Sequence, residues 1–484
     1  MSDRPNVLLV VLDSVRAENT SLHGYERETT PFLSAFADRA TVYTQARAPS
    51  IHSIASHVSM FTGTHVEEHE ATHHTAHIDT TGTIWHELAT EYDYATGLFT
   101  NNRIVSNASN LGECFEEKHE PAYPLAERLE NTLGNPLVES AYYRLSDGFS
   151  RVATTTRRGL ERTGLDSLVD GVAGRIGGGT DSTDDGGYKT EFGGRFADAF
   201  SEWEARQDGP WAACLNLMDA HSPYQPEPAY DEWAGDEHRR IQREDEPSVR
   251  DALHGRGWDR VEALLPLYDG GIRQADAVVE GLVEDLERRG VLDDTLLIIT
   301  SDHGEGFGEE SQVDPEVRLR GHKWGIHEAL THVPLLVRYP EGTEGRVVRD
   351  VVSLTDIPAA IRATIDGDSD EDPFVTEGPV LASTFRLPEK QTAKFASVSD
   401  IDRYVGPWRA VYETREDTVR KFAHKGDNYV TVDASGEATV VSRTKHTRVD
   451  DVYDSLSGGG VVTDRTTEID DELEEKLEDL GYIR

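Results

Sequence analysis

The sequence predicts an α/β protein with a mostly parallel central sheet, followed by a small C-terminal α+β subdomain. Three observations carry that prediction. Apolar runs of strand length recur through residues 1–365, and helical patterns lie between them. After the acidic connector Asp366 to Pro373 (DGDSDEDP), the runs become short and follow one another closely. Strands alternating with helices make parallel sheets, whereas clustered short strands make antiparallel ones.

The elements follow in order. Asn6 to Leu12 (NVLLVVL) is continuously apolar, as a strand buried on both faces must be. Pro49 breaks any preceding helix, and Ser53 to Thr62 then forms one that Gly63 ends. Ile84 to Glu91 is a second helix and Thr96 to Phe99 a short strand. Residues 120–205 form an insertion, with a Gly/Asp-rich surface loop at Ile176 to Tyr188. Trp211 to Met218 is a strand, Gln274 to Arg289 a helix closed by Gly290, and Thr295 to Thr300 and Val333 to Arg338 are strands. Glu310 to Arg320 reads as a mobile rim loop. Residues 366–484 make the second subdomain. Its strands are Arg409 to Glu413, Arg420 to His424, Tyr429 to Val432 and Ala438 to Val441, with a turn at Asp433 to Glu437. Glu472 to Leu480 is a terminal helix before Gly481.

Composition narrows the function. Ninety Asp and Glu against 48 Lys and Arg give a net charge of −42 over 484 residues, which repels phosphate backbones and excludes a nucleic-acid binder. A hydrophobic fraction of 37% is enough for a core and excludes global disorder. No apolar run reaches the ~18–20 residues that span a bilayer. The first residues lack a signal-peptide pattern, and two Cys are too few for a disulfide framework, so a cytoplasmic protein is expected. Only nine of the basic residues are Lys, and the acid excess runs the whole length. Both suit a halophile's salty cytoplasm, where counterions screen self-repulsion.

Ligands of open parallel sheets bind beyond the carboxyl ends of the strands. There the sequence places Asp13, then Asn101 and Asn102, then Asp219 and His221, then Asp302, His303 and Glu305. One Asp after a strand fits a turn or cap, but four such ends together favour an active site. Asp13, Asp302 and His303 have the composition of a site for Mn2+, Mg2+, Ca2+ or Zn2+. Ser53 opens a helix, in the positive end of its dipole, and His57 lies one turn on. The local pattern by itself fits Ser53 better as an N-cap. His52 packs beside it, and His69, His73, His74 and His77 read as surface or pocket-rim residues rather than a metal cluster.

These pieces occur together in a known family. Asn6 to Arg16 (NVLLVVLDSVR), Ser53 to His57 (SIASH) leading into VSMFTG, His221 to Tyr224 (HSPY), Ser301 to Gly306 (SDHGEG) and Lys323 to Leu335 (KWGIHEALTHVPL) resemble, in order, the motifs of the sulfatase family of the alkaline phosphatase superfamily. The resemblance covers about residues 4–365 and implies an alkaline-phosphatase-like α/β/α sandwich. It implies Ser53 as nucleophile, with His57 in the motif's Arg position and His221 on the leaving-group side. It implies Lys323 as the catalytic Lys, His327 in the place of a Tyr, and one divalent ion, Ca2+, Mn2+ or Mg2+, on Asp13, Asp302 and His303. Four departures stand out. Ser14 replaces a second Asp, His303 replaces an Asn, Thr100 to Asn102 replace a Gly-Lys-Trp-His element, and His57 replaces the Arg that formylglycine-forming enzymes recognise. The last argues against conversion of Ser53 to formylglycine. Ser14 and His303 look more like the branch that includes phosphonate monoester hydrolases.

Three functions remain open at this level. One is a metal-dependent sulfuric ester hydrolase, arylsulfatase-like, acting on a small anionic ester such as a sulfated sugar or an aryl or alkyl sulfate. The second is a phosphoester or phosphonate monoester hydrolase, or a phospho-group transferase. The third is a non-catalytic binder of anionic glycans, against which the retained Asp13, Asp302, His303 and Lys323 argue.

Overall fold

Strand β1, Asn6–Leu12, is the axis of the fold. Its residues alternate between two cores. Val7, Leu9 and Val11 face one, while Leu8, Val10 and Leu12 face the other. The computed structural model describes residues 4–120 and 193–463, apart from 75, 343, 368–370, 386–397, 399 and 417. The expected loop at 176–188, the helix at 472–480 and most of the 120–205 insertion lie outside the described residues, as does part of the acidic connector.

Among the described residues, eight strands form the central sheet. They are β1, β2 (Thr41–Arg47), β3 (Ala95–Thr100), β4 (Glu117–His119), β5 (Trp211–Leu217), β6 (Thr295–Thr300), β9 (Leu335–Arg338) and β10 (Arg346–Ser353). Their order is β10-β2-β9-β6-β1-β5-β3-β4. Every pairing is parallel except those of β9, which runs antiparallel to β2 and β6. Helices cover both faces. Ser53–Thr62, Ile84–Glu91 and Ile357–Asp366 pack on one, and Gly193–Glu204 and Leu265–Arg289 on the other. The sandwich is therefore the one expected. The long helix begins nine residues earlier than its apolar pattern, with Pro266 in its first turn.

A five-stranded antiparallel sheet follows, β11 (Val380–Thr384), β12 (Trp408–Arg415), β13 (Thr418–Lys425), β14 (Asn428–Asp433) and β15 (Thr439–Ser442), paired in chain order. Its inner face shares a third core with Ile51, Trp324, Ile326 and Leu330 from the first subdomain. A buried ion triad crosses the same boundary. Glu328 lies 2.9 Å from Arg47 Nη2 and 3.0 Å from Lys421 Nζ, and Tyr412 OH donates to it at 3.3 Å. The described residues of 4–120 and 193–463 accordingly make one compact unit.

Two local features differ from expectation. The segment read as a rim loop is the turn and second strand of a two-stranded hairpin, β7 (Phe307–Glu310) with β8 (Arg318–Arg320). Arg318 pairs with Glu262 and Arg320 with Glu246, which fixes it to neighbouring elements. The chain's last described stretch then returns to the first core. Gly459 N–H donates to Glu68 O, Asp79 N–H to Val461 O and Thr463 N–H to His77 O, while Val461 and Val462 pack on that core.

Candidate active site

The carboxyl ends of β1, β3, β5 and β6 converge on one buried cluster. Asp13, Asp302 and His303 are all fully buried, and one ligand atom from each lies within 4.8 Å of the others. Among the described residues this is the one such trio. The turns that build it are tight. Ser14 is held at φ 66°, which brings its N–H to 3.2 Å from Asp302 Oδ1 and its hydroxyl to 2.8 Å from Asp13 Oδ1. Gly304 passes so close to the 329 carbonyl that a Cβ would sit 2.0 Å from that oxygen. Only glycine allows that approach.

The trio fits a divalent cation. Burial pushes the Asp302 carboxyl above the usual range, although the neighbouring His57 pulls it back. Two close buried carboxylates are stabilised by an opposing charge. His303 Nδ1 lies 2.9 Å from the Gly304 carbonyl, so it carries the proton and Nε2 keeps its lone pair. Nε2 lies 3.4 Å from Asp302 Oδ2. Carboxylate oxygens with one imidazole form a hard-to-borderline donor set.

Ser53 is the first residue of its helix, and His52 takes the N-cap place. The N-cap reading of Ser53 is thereby overturned: its Oγ lies 3.2 Å from His303 Nε2, 250 positions away in the chain. Tertiary placement of the β6 loop outweighs the local capping preference. His57 Nδ1 meets the Ser53 carbonyl at 2.8 Å and Asp302 Oδ2 at 3.8 Å, and the ring's fully buried Nε2 has no hydrogen-bond partner. It braces the first turn of the helix against Asp302.

His221 Nδ1 faces the Ser222 carbonyl, and burial lowers the ring's pKa although Asp13 works against that. Lys323 is half-buried and acts electrostatically on both His221 and Glu305. The structure therefore gathers Asp13, Ser53, His57, His221, Asp302, His303 and Lys323 around one place. It adds His322, which the motif reading passes over. Its Nδ1 lies 2.8 Å from Glu305 Oε2, and its ring lies 4.5 Å from that of His303 and 5.4 Å from that of His221. Burial raises the Glu305 carboxyl to about 7, with Lys323 opposing. Asn216, the one polar residue inside the apolar run of β5, also reaches Asp13. A lone Asn in a buried strand is itself a signal, since a buried amide needs a partner.

The other histidines separate. His69 is fully buried rather than at the surface. It bonds to Ser59 Oγ at 2.9 Å, and burial lowers its pKa to about 3. His73 is exposed, and His74 meets His52 at 3.0 Å beside the nucleophile. His327 turns Nδ1 to the Ala329 N–H and caps a short helix.

Comparison with known proteins agrees with this geometry. An arylsulfatase of Clostridium perfringens is 23% identical over 394 residues, covering 73% of each chain. An N-acetylgalactosamine-6-O-sulfatase of Bacteroides thetaiotaomicron is 23% identical over 428 residues, 77% of this chain and 74% of that one. The crystal structure of the phosphonate monoester hydrolase of Agrobacterium radiobacter superposes with a TM-score of 0.57 at 18% identity, covering 99% of this chain and 95% of that one. A family model described as Sulfatase matches residues 5–366, the whole of the sandwich that carries the site. The chain belongs to the sulfatase family.

Proposed function

We propose that the protein is a metal-dependent sulfuric ester hydrolase that uses unmodified Ser53 as its nucleophile. The observation that carries this reading is Ser53 Oγ, on the first turn of a helix and 3.2 Å from an imidazole of the Asp13–Asp302–His303 trio. A divalent ion held by that trio supplies Lewis-acid polarisation of the ester's non-bridging oxygen.

The chain's own residues do the rest. Ser53 Oγ forms the new S–O bond while the bond to the departing oxygen breaks in line with it. The helix N-terminus and Lys323 stabilise charge on the transferring group. Two imidazoles serve the leaving-group side. With Nδ1–H given to the Ser222 carbonyl and its pKa lowered, His221 is neutral and accepts at Nε2, so it orients. His322 turns Nδ1 to the Glu305 carboxylate and supplies the proton for the departing oxygen. Water then cleaves the sulfuryl-enzyme.

A second reading, phosphonate monoester or other phosphoester hydrolysis, is favoured by the same plain serine. Water attacks a phosphoserine readily, whereas a serine sulfate turns over more slowly. Parallel assays of aryl sulfate and aryl phosphonate monoester in high salt, with Mn2+ or Ca2+ added, separate the two. Faster turnover of the phosphonate refutes the sulfatase reading, and full activity in Ser53→Ala refutes the nucleophile. Formylglycine at position 53, read by mass spectrometry of peptide 48–63, refutes the plain-serine scheme.

A further inference from the structure

The Asp13 carboxylate is gripped from three places in the chain. Asn102 Nδ2 donates to Oδ2 at 2.8 Å, Asn216 Nδ2 to the same oxygen at 3.5 Å, and Ser14 Oγ to Oδ1 at 2.8 Å. Asn102 is fully buried, and its amide has one allowed orientation. Its Oδ1 accepts the Ile104 N–H at 3.0 Å and the Val105 N–H at 3.4 Å, so Nδ2 must face Asp13. Its own backbone N–H goes to Thr100 Oγ1 at 2.8 Å. The residue is thus locked at the end of β3 and to the turn that follows, with its amide nitrogen aimed at one carboxylate oxygen.

We infer that Asn102 is a positioning residue that sets the cation affinity of the site by fixing the rotation of the Asp13 carboxylate. The terminal torsion of an aspartate is broad, and of the two donors to Oδ2 Asn102 makes much the shorter contact, 2.8 Å against 3.5 Å from Asn216. A rigid donor on Oδ2 removes that freedom before any cation arrives. The inference rests on the reading of Asp13, Asp302 and His303 as metal ligands.

The test uses the full chain stripped of metal and titrated calorimetrically with Mn2+, together with unfolding midpoints with and without Mn2+. Asn102→Ser keeps an oxygen that caps the following turn but is too short to reach Asp13. It is expected to weaken Mn2+ binding about 10–100-fold while leaving the metal-free midpoint close to wild type. Asn102→Asp keeps the cap and sets a second carboxylate against Asp13. It is expected to lower the metal-free midpoint and to enlarge the rise that Mn2+ produces, because the cation relieves the repulsion. A folded Asn102→Ser whose Mn2+ affinity stays within about threefold of wild type overturns the inference. So does an equal Mn2+-induced rise in all three proteins. Wild-type protein that takes up no Mn2+, Ca2+ or Mg2+ overturns the metal reading itself, and the inference with it.

Discussion

Glu328→Gln should destabilise the protein by about 3–5 kcal/mol, the usual consequence of removing one partner from a buried ion pair. The structure gives the magnitude a second way. Against the penalty of burial, Arg47 and Lys421 hold the Glu328 carboxyl down at about 2, from an ordinary 4.5. That offset corresponds to about 3 kcal/mol. The two cations are fully buried, so the variant leaves both charges in the third core with a neutral amide between them. The stabilisation is fully present above the ordinary carboxylate pKa and is lost as pH falls from there toward 2, so the gap between wild type and variant should be flat from pH ~6 to ~8. Denaturant unfolding followed through Trp324 and Trp408, both in that core, reads the loss where it occurs. Screening reaches buried charges poorly, so the gap should survive a rise from about 0.1 M to about 1 M salt. A loss under about 1 kcal/mol, or one that vanishes in high salt, refutes the assignment of the triad as a desolvated tie between the subdomains.

Four further outcomes are expected. Ser53→Ala should lower kcat about 10³-fold or more while Mn2+ binding persists, which calorimetry checks on the same samples. Gly304→Ala should displace the Asp302–His303 turn, because a Cβ would sit 2.0 Å from the 329 carbonyl oxygen, and lower kcat/KM about 100-fold. His322→Gln should lose most activity on esters with poor leaving groups, and a uniform loss across a leaving-group series would remove it from proton donation. Burial raises the Asp356 carboxyl to about 7, so its protonated form favours the folded state. That contribution is complete below about pH 4 and fades as pH rises through about 7. The stability of Asp356→Asn relative to wild type should therefore grow across that window, measured by thermal unfolding in matched buffers.

The central strands were legible because β1, β5 and β6 are buried on both faces and read as unbroken apolar runs. β2 and β10 were not. β10 is an edge strand with Arg346, Arg349 and Asp350 along it, and β2 carries Gln45 and Arg47. Arg47 is buried only because Glu328 waits for it, and no local window contains that partner. The antiparallel direction of β9 depends on the connection from β6, which crosses the whole site first. The same limit applies to the chemistry. Metal-capable residues were visible at strand ends because the sheet's topology collects them there. The Ser53–His303 contact and the Glu305–His322 pair bring distant segments or adjacent loops together, and spacing along the chain does not encode them. Asn216 went unread, although it is a polar interruption in a buried strand, and its partner Asp13 lies 203 positions away.

The return of residues 459–463 to the segment 68–79 has a consequence for how the molecule is made. Thr463 and His77 meet across 386 positions of chain. The stretch that holds His74 against His52 beside Ser53 is complete only once residue 463 has been made and has reached it. Contacts of such separation close late, after the loop-closure entropy has been overcome. The segment that carries His74 thus gains its last backbone partners only when residues 459–463 dock on it.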